Sequence, residues 1–267
     1  MLVPALRPDG RSDVNDSYAT GSPAPMDPLV PVSVRCVLFD FDGPVCGLFR
    51  RHPAPEVARR LLAHLPAGIR EHVLARAGLP VTDPQIVLRA VGELYPSSRL
   101  VSRLEGLLTQ EEVRATASAE PAENATKLIR ALSEAGIALA VTTNNSAEAV
   151  ERYLERVGLT DAFGRHIHGR THSPYNPTLL KPNPDCLSRA LKSTGAVAEE
   201  SLMIGDAPAD FLAAERLGIR FLGYATRETK SEVLSGAGAR KVIDRLPADL
   251  VELAAMADQL DSARRSF

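Results

Sequence analysis

Val34-Arg35-Cys36-Val37-Leu38-Phe39-Asp40-Phe41-Asp42-Gly43 is the stretch from which the rest of the chain is read. Its apolar, β-branched run has the length of a strand, and continuous runs of this kind form parallel strands buried on both faces. The run ends abruptly in two carboxylates spaced two apart, followed by a glycine. A carboxylate has no reason to finish a buried strand unless something there uses it. In open α/β sheets the carboxyl ends of the strands are where ligands and chemistry collect. Two acids at such a point can hold a metal, supply a nucleophile and supply a general acid.

After Gly43 the sequence changes character. Apolar residues recur at helical spacing in Val57, Leu61, Leu62 and Leu65, then in Ile69, Val73 and Leu74. The pattern resumes in Ile86, Val87, Ala90, Val91 and Leu94, and again in Leu100, Val101, Leu104, Leu107 and Leu108. Pro53, Pro66, Pro80, Pro84 and Pro96 punctuate these runs near their ends, where helix boundaries belong. The spacing predicts four helices and no strand, an all-helical module over residues 47–118 inserted after the first strand.

From Pro121 onward helical patterns alternate with short apolar strands. A helix from Glu123 to Ala135 precedes the strand Ile137-Ala138-Leu139-Ala140-Val141, which runs into Thr142-Thr143-Asn144-Asn145. A helix over Ala147 to Val157, a short strand around His166 to Gly169 and a polar loop from Thr171 to Leu180 lead to Lys181-Pro182. Next come a helix (Pro184 to Ser193) and the strand Ser201 to Ile204, which ends in Gly205-Asp206-Ala207-Pro208-Ala209-Asp210. A helix from Phe211 to Leu217, a strand from Ile219 to Tyr224 and a weaker repeat at Val242-Ile243 close the series. This rhythm predicts an α/β fold, a parallel sheet with helices on both faces. Residues 34–46 and 119–267 form the expected core. Residues 1–33, rich in Pro, Asp, Ser and Gly without periodicity, read as a disordered tail, and Met26 within it is an alternative start.

Composition narrows the function. The 31 basic residues against 33 acidic ones leave a formal charge of −2, so neither nucleic acid nor a membrane surface is indicated as partner. The three cysteines, Cys36, Cys46 and Cys186, have no metal-ligand spacing and read as free thiols in a reducing cytoplasm.

Three strands thus end in chemistry: at Asp40 and Asp42, at Thr143, and at Asp206 with Asp210. Lys181 comes from a loop before a helix. Parallel strands bring their carboxyl ends to one edge, where these groups converge. Several carboxylates together need a counter-cation, and oxygen-only ligation points to Mg²⁺. A lysine and a hydroxyl beside it make a receptor for an oxyanion such as phosphate.

On these residues the chain resembles the haloacid dehalogenase-like superfamily of phosphotransferases. Asp40-Phe41-Asp42-Gly43 is similar to its first motif, Thr143 to its second, Lys181-Pro182 to its third, and Gly205-Asp206 with Asp210 to its fourth. The helical insertion resembles the cap of the phosphoglycolate phosphatase and β-phosphoglucomutase branch, on a Rossmann-like core. The resemblance implies Asp40 as nucleophile, forming an aspartyl-phosphate, and Asp42 as general acid and base. Thr143 and Lys181 would hold phosphoryl oxygens, helped by backbone N–H groups near Phe41, Asp42 and Asn144. Asp40, the Asp42 carbonyl and Asp206 would bind Mg²⁺, with Asp210 a ligand through water or a support behind it. Asp42 is absent from the dehalogenase branch, so its presence argues for phosphate chemistry.

The expected function is hydrolysis of a small phosphorylated metabolite by a cytoplasmic monomer or homodimer. A phosphomutase that returns the phosphoryl group to a sugar, or a non-catalytic binding protein on the same fold, are the alternatives. Pro44 replaces the threonine usual after the first-motif glycine, which bears on the turn toward the cap. Thr142 competes with Thr143 for the hydroxyl position, and Thr143 is preferred because it directly precedes Asn144. His166 and His168 share a strand face and read as a packed or surface pair. Arg50, Arg51 and His52, where the cap begins, read as solvated linker or as contacts to an anionic substrate. Cys46 has no base that would make it a nucleophile.

Overall fold

A computed structural model describes residues 34–170 and 179–265. The predicted tail, Met26 and all but the last two residues of the Thr171–Leu180 loop lie outside the described residues.

The first strand, β1 (Cys36–Phe39), is fully buried and alternates between two cores: Val37 and Phe39 join one hydrophobic cluster, Cys36 and Leu38 the other. This period-two split is what a strand covered on both faces requires. The chain then leaves the sheet through β2 (Cys46–Gly47), builds four helices, and returns through β3 (Glu120–Pro121). The strands β2 and β3 pair antiparallel, Cys46 opposite Pro121.

The four helices are α1 (Ala54–Ala63), α2 (Ala67–Ala77), α3 (Pro84–Leu94) and α4 (Arg99–Thr116). Pro53 and Pro66 precede α1 and α2, and Pro84 opens α3, where a missing N–H costs nothing. Their apolar stripes meet in a third cluster that includes Val57, Leu61, Val73, Val91, Leu104 and Leu108. Each such side chain stabilises by roughly 1.5–3 kcal/mol on burial. Helix α4 also packs against the core.

The core continues with α5 (Ala125–Glu134), β4 (Ala138–Ser146), α6 (Ala147–Val157), α7 (Thr160–Phe163) and β5 (Ile167–Arg170). Then follow α8 (Asp185–Thr194), β6 (Ser201–Gly205), α9 (Pro208–Arg216), β7 (Arg220–Tyr224), α10 (Glu228–Gly236), β8 (Val242–Ile243) and α11 (Leu250–Arg265). Six strands form one parallel sheet in the order β5-β4-β1-β6-β7-β8. The order reverses at β1, so Asp40 leaves the sheet at its centre, where open α/β sheets place their sites. Helices α5, α6 and α11 cover one face, α8, α9 and α10 the other.

The observed elements differ from the sequence reading at several points, the β2–β3 pair that brackets the helical module among them. β4 does not stop at Val141 but continues to Ser146, pairing Ser146 with Arg170 of β5 after a shift in register. The Ser146 hydroxyl accepts from the Ala149 N–H at 3.3 Å and caps α6, so a run of polar residues serves strand and cap together. Helix α9 starts at Pro208, which brings Asp210 into its first turn. Helices α7, α10 and α11 were not anticipated, α7 being a single turn of four residues.

Candidate active site

Asp40 follows β1 directly, its N–H bonded to the Ile204 carbonyl of β6 at 2.9 Å. The Lys181 ammonium, 2% exposed, donates to Asp40 Oδ1 at 2.7 Å and to the Thr142 carbonyl at 2.8 Å, and pairs with Asp210 Oδ1 at 2.5 Å. The other Asp210 oxygen accepts the N–H groups of Asp206 and Ala207, each at 3.0 Å. The first turn of α9 thereby fixes Asp210 and the turn that carries Asp206.

Two glycines make this approach possible. Gly43 has φ +138°, and a Cβ there would stand 2.3 Å from Asp206 Oδ2. A Cβ on Gly205 would stand 2.5 Å from the Asp210 Cβ. Both positions need a residue without a side chain, because the first and fourth motifs come together over them.

Asp40, Asp206 and Asp210 offer carboxylate oxygens all within 4.8 Å of one another. Lys230 of α10 forms an ion pair with Asp206. Burial raises the pKa of Asp40; Lys181 opposes the rise and Asp210 adds to it. Burial also pushes Asp206 up to about 8, reinforced by Asp40 and countered by Lys230. Asp42 rises to about 7, again chiefly through burial and then through Asp40. Burial pulls the Lys181 pKa down, but Asp210 and Asp40 outweigh it and the net shift is upward. Three clustered carboxylates, Asp40, Asp206 and Asp210, face two ammonium groups, Lys181 and Lys230, so the fully ionised cluster carries an excess of one negative charge. An all-oxygen site with that excess suits a hard divalent cation.

Asp42 stands apart from the three-carboxylate cluster. Its Oδ1 accepts the Leu48 N–H at 2.8 Å, across the turn that leads to the helical module. Asp42, Thr143, Asn144, Asp83 and Gln85 line, with Asp40, a cavity of about 200 Å³. Thr142 turns away and donates to Met203 Sδ at 3.3 Å. The Phe41 ring is buried edge-on against Tyr153, 5.4 Å between centroids, while its backbone bonds the Asp40 carboxylate. Asn144 Oδ1 accepts the Lys181 N–H at 2.7 Å, so this side chain holds the lysine's backbone.

A buried network behind the cavity escaped the sequence reading. The Thr143 hydroxyl donates to Asn145 Oδ1 at 3.0 Å, and Asn145 Nδ2 donates to Glu112 Oε1 of α4 at 3.1 Å. Glu112 also accepts from the Ser146 N–H at 2.9 Å, from Gln85 Nε2 at 3.1 Å and from both Nη atoms of Arg170 at 2.9 and 3.1 Å. One carboxylate, 0% exposed, thus ties the module to the ends of β4 and β5. The available signal was its place in α4: Glu105 and Glu112 fall seven apart on the stripe of Val101, Leu104 and Leu108. An acid on an apolar stripe announces a buried partner.

The remaining candidates have structural partners. His166 Nδ1 and His168 Nε2 both meet Ser193 Oγ, at 2.9 and 2.7 Å. Arg51 pairs with Glu120 and His52 with Glu111. Burial drives the Cys46 thiol well above its ordinary pKa, so the thiolate is disfavoured.

A profile of haloacid dehalogenase-like hydrolases matches residues 86–224, a span containing Thr143, Lys181, Asp206 and Asp210. The phosphoglycolate phosphatase of Rhodospirillum rubrum is 31% identical over 79% of this chain and 87% of its own length. The chain belongs to the haloacid dehalogenase-like hydrolase family. Its curated relatives place it among the phosphatases of that family. The pyrophosphatase PpaX of Halalkalibacterium halodurans is 31% identical over 40% of this chain, a match that spans 49% of that relative. The crystal structure of CbbY from Rhodobacter sphaeroides in complex with phosphate superposes with a TM-score of 0.60 at 20% identity, covering 82% of this chain and 96% of that one. That likeness speaks for the overall fold. No helix among the described residues is long and apolar enough to cross a membrane.

Proposed function

We propose that this haloacid dehalogenase-like chain is a Mg²⁺-dependent phosphatase that hydrolyses a small phosphorylated metabolite through an aspartyl-phosphate on Asp40. One observation carries the reading: the Asp40 carboxylate lies in a 200 Å³ cavity, bonded to Lys181, with Asp206 and Asp210 within 4.8 Å. Residues 47–118 act as a cap over a core made of residues 34–46 and 119–267, with β2 and β3 as the crossing.

Asp40 attacks the phosphorus and the ester oxygen leaves with a proton from Asp42. A pKa of about 7 keeps a large share of Asp42 protonated at neutral pH, as a proton donor needs. Water then attacks the aspartyl-phosphate, Asp42 takes its proton, and phosphate leaves Asp40 regenerated. Thr143, the Asn144 backbone and Lys181 bind phosphoryl oxygens, and the N–H groups near Phe41 and Asp42 assist. Asp40, Asp206 and the Asp42 backbone carbonyl would hold the cation, with Asp210 behind them. Bound there, Mg²⁺ supplies the charge that lets an anionic nucleophile approach an anionic phosphate. The free, buried Cys36, Cys46 and Cys186 fit a reducing, cytoplasmic setting.

The test is release of inorganic phosphate from a panel of phosphate monoesters, with and without Mg²⁺, by the wild type and Asp40→Asn. Asparagine keeps the shape and removes the anionic nucleophile. Mg²⁺-dependent turnover that Asp40→Asn abolishes is the expected result. Undiminished turnover by Asp40→Asn refutes the aspartyl-phosphate route.

A further inference from the structure

Lys181 belongs to neither a strand nor a helix: β5 ends at Arg170 and α8 starts at Asp185. No strand ladder or helical turn fixes its backbone, and its side chain is a flexible stem. The Asn183 N–H closes a turn onto the Leu180 carbonyl at 2.9 Å, with Lys181 and Pro182 between them. Side chains hold the other backbone groups of this turn. Asn144 Oδ1 accepts the Lys181 N–H at 2.7 Å, and Arg216 of α9 donates to the Pro182 carbonyl. The Lys181 carbonyl accepts from Arg89 Nη2 of α3 at 2.7 Å and, more weakly, from Asn144 Nδ2 at 3.4 Å. Asn144 and Arg216 stand on core elements, whereas Arg89 comes from the helical module.

Arg89 is set firmly in that module. Its neighbours Leu88 and Ala90 are buried in the third hydrophobic cluster, so its backbone moves with α3. Asp83 caps the same helix by accepting the Gln85 N–H at 2.8 Å. Burial raises the Asp83 pKa, while the Gln85 N–H and then the Arg89 charge oppose the rise. The guanidinium therefore stands between a carboxylate of its own helix and a carbonyl of the core. It does not line the cavity; its bond goes to the backbone of a residue that does.

We infer that Arg89 is a positioning residue: by holding the Lys181 carbonyl, the helical module sets the place of the ammonium that meets the phosphoryl group. The inference deepens the phosphatase reading and rests on it. With Asn144 on its N–H and Arg89 on its carbonyl, Lys181 reaches Asp40, Asp210 and the Thr142 carbonyl from a fixed backbone. Without Arg89 the Lys181 carbonyl keeps only the 3.4 Å contact with Asn144. The turn then gains freedom that phosphate binding has to remove again.

Calorimetry with inorganic phosphate in the presence of Mg²⁺ tests this, because phosphate fills the phosphoryl end and carries no leaving group. Arg89→Met keeps an unbranched stem and removes the donors. Phosphate affinity should fall about tenfold, the scale of one charge-assisted hydrogen bond. Arg89→Lys, which keeps the charge and a donor, should restore part of it. Arg76→Met is the control, since Arg76 pairs with Glu93 on the exposed surface of the module and should leave the affinity unchanged. In Arg89→Met, kcat/KM for glycerol 3-phosphate and for 2-phosphoglycolate should fall by the same factor. Undiminished phosphate affinity in Arg89→Met, or an equal loss in Arg76→Met, overturns the inference, while turnover by the wild type keeps the phosphatase reading. A loss confined to one of the two esters makes Arg89 a contact to the leaving group and also overturns it. Weaker phosphate binding by Arg89→Met, with no turnover of any ester by the wild type, supports the inference and removes the phosphatase reading.

Discussion

Arg170→Leu probes the buried junction between cap and core. The Arg170 side chain is 4% exposed and forks onto both oxygens of Glu112, itself 0% exposed, at 2.9 and 3.1 Å. It also lies 3.4 Å from Glu105 and donates to the Asn144 carbonyl at 2.8 Å and the Thr109 hydroxyl at 3.0 Å. Leucine fills much of the volume but leaves two buried carboxylates without their arginine. Removing one partner of a buried pair costs about 3–5 kcal/mol, mostly through the charge left behind. At roughly 2–4 °C per kcal/mol for a chain of this size, the melting temperature falls on the order of 10 °C. Arg245→Leu is the control, because its pair with Glu252 is 49% and 30% exposed and such surface pairs contribute about 0–1 kcal/mol. Urea unfolding at pH 7 reads both variants through the midpoint and the slope. Phosphate affinity should fall with Arg170→Leu as well, since Glu112 holds Asn145 and through it Thr143. If Arg170→Leu costs no more than Arg245→Leu, the junction is not the stabilising element argued here.

Two further outcomes follow from the charges at the acidic cluster. Lys230 competes with a bound cation for Asp206, and its side chain is 35% exposed. Lys230→Met should therefore tighten Mg²⁺ binding by up to roughly fivefold, the equivalent of about 1 kcal/mol for a partly exposed pair; a calorimetric Mg²⁺ titration that shows weaker or unchanged binding contradicts this. The stability of the metal-free protein should fall as pH rises from 6.5 to 9. Asp42 and Asp206 titrate at about 7 and about 8 in the folded chain but at ordinary carboxylate values of roughly 4 when unfolded, so the folded chain holds more protons across this window. His168, depressed to about 4 chiefly by burial, acts in the opposite direction only below its unfolded value of about 6.5. Melting temperatures in EDTA and in Mg²⁺ check the slope, which the cation should flatten; a midpoint that rises toward pH 9 in EDTA refutes it.

The fold was legible because its signals are local. The strand at Cys36–Phe39, the helical spacing of Val57 to Leu108 and the strand–helix rhythm after Pro121 each depend on residues a few positions apart. Burial of one stripe or one face is what produces such periods. The weakly patterned α10, and the strand residues Thr142 to Ser146, were not legible, because there pairing with neighbours decides the conformation against local preference.

For the site, the sequence named acids, a hydroxyl and a lysine at strand ends and loops, and the parallel sheet brings Asp40, Lys181, Asp206 and Asp210 together. It gave no means to place Asp42, whose side chain turns to Leu48, or to find Lys230 against Asp206. Nor did it show that Glu112 joins Gln85, Asn145, Ser146 and Arg170. By itself, then, the sequence determined the elements and the chemical types carried at their ends, since periodicity and turn residues act over short distances. Only the tertiary structure decided which charges pair and which buried polar groups are tied together. Those depend on Coulomb and hydrogen-bond partners that lie up to 141 residues apart along the chain and 2.5–3.1 Å apart in space.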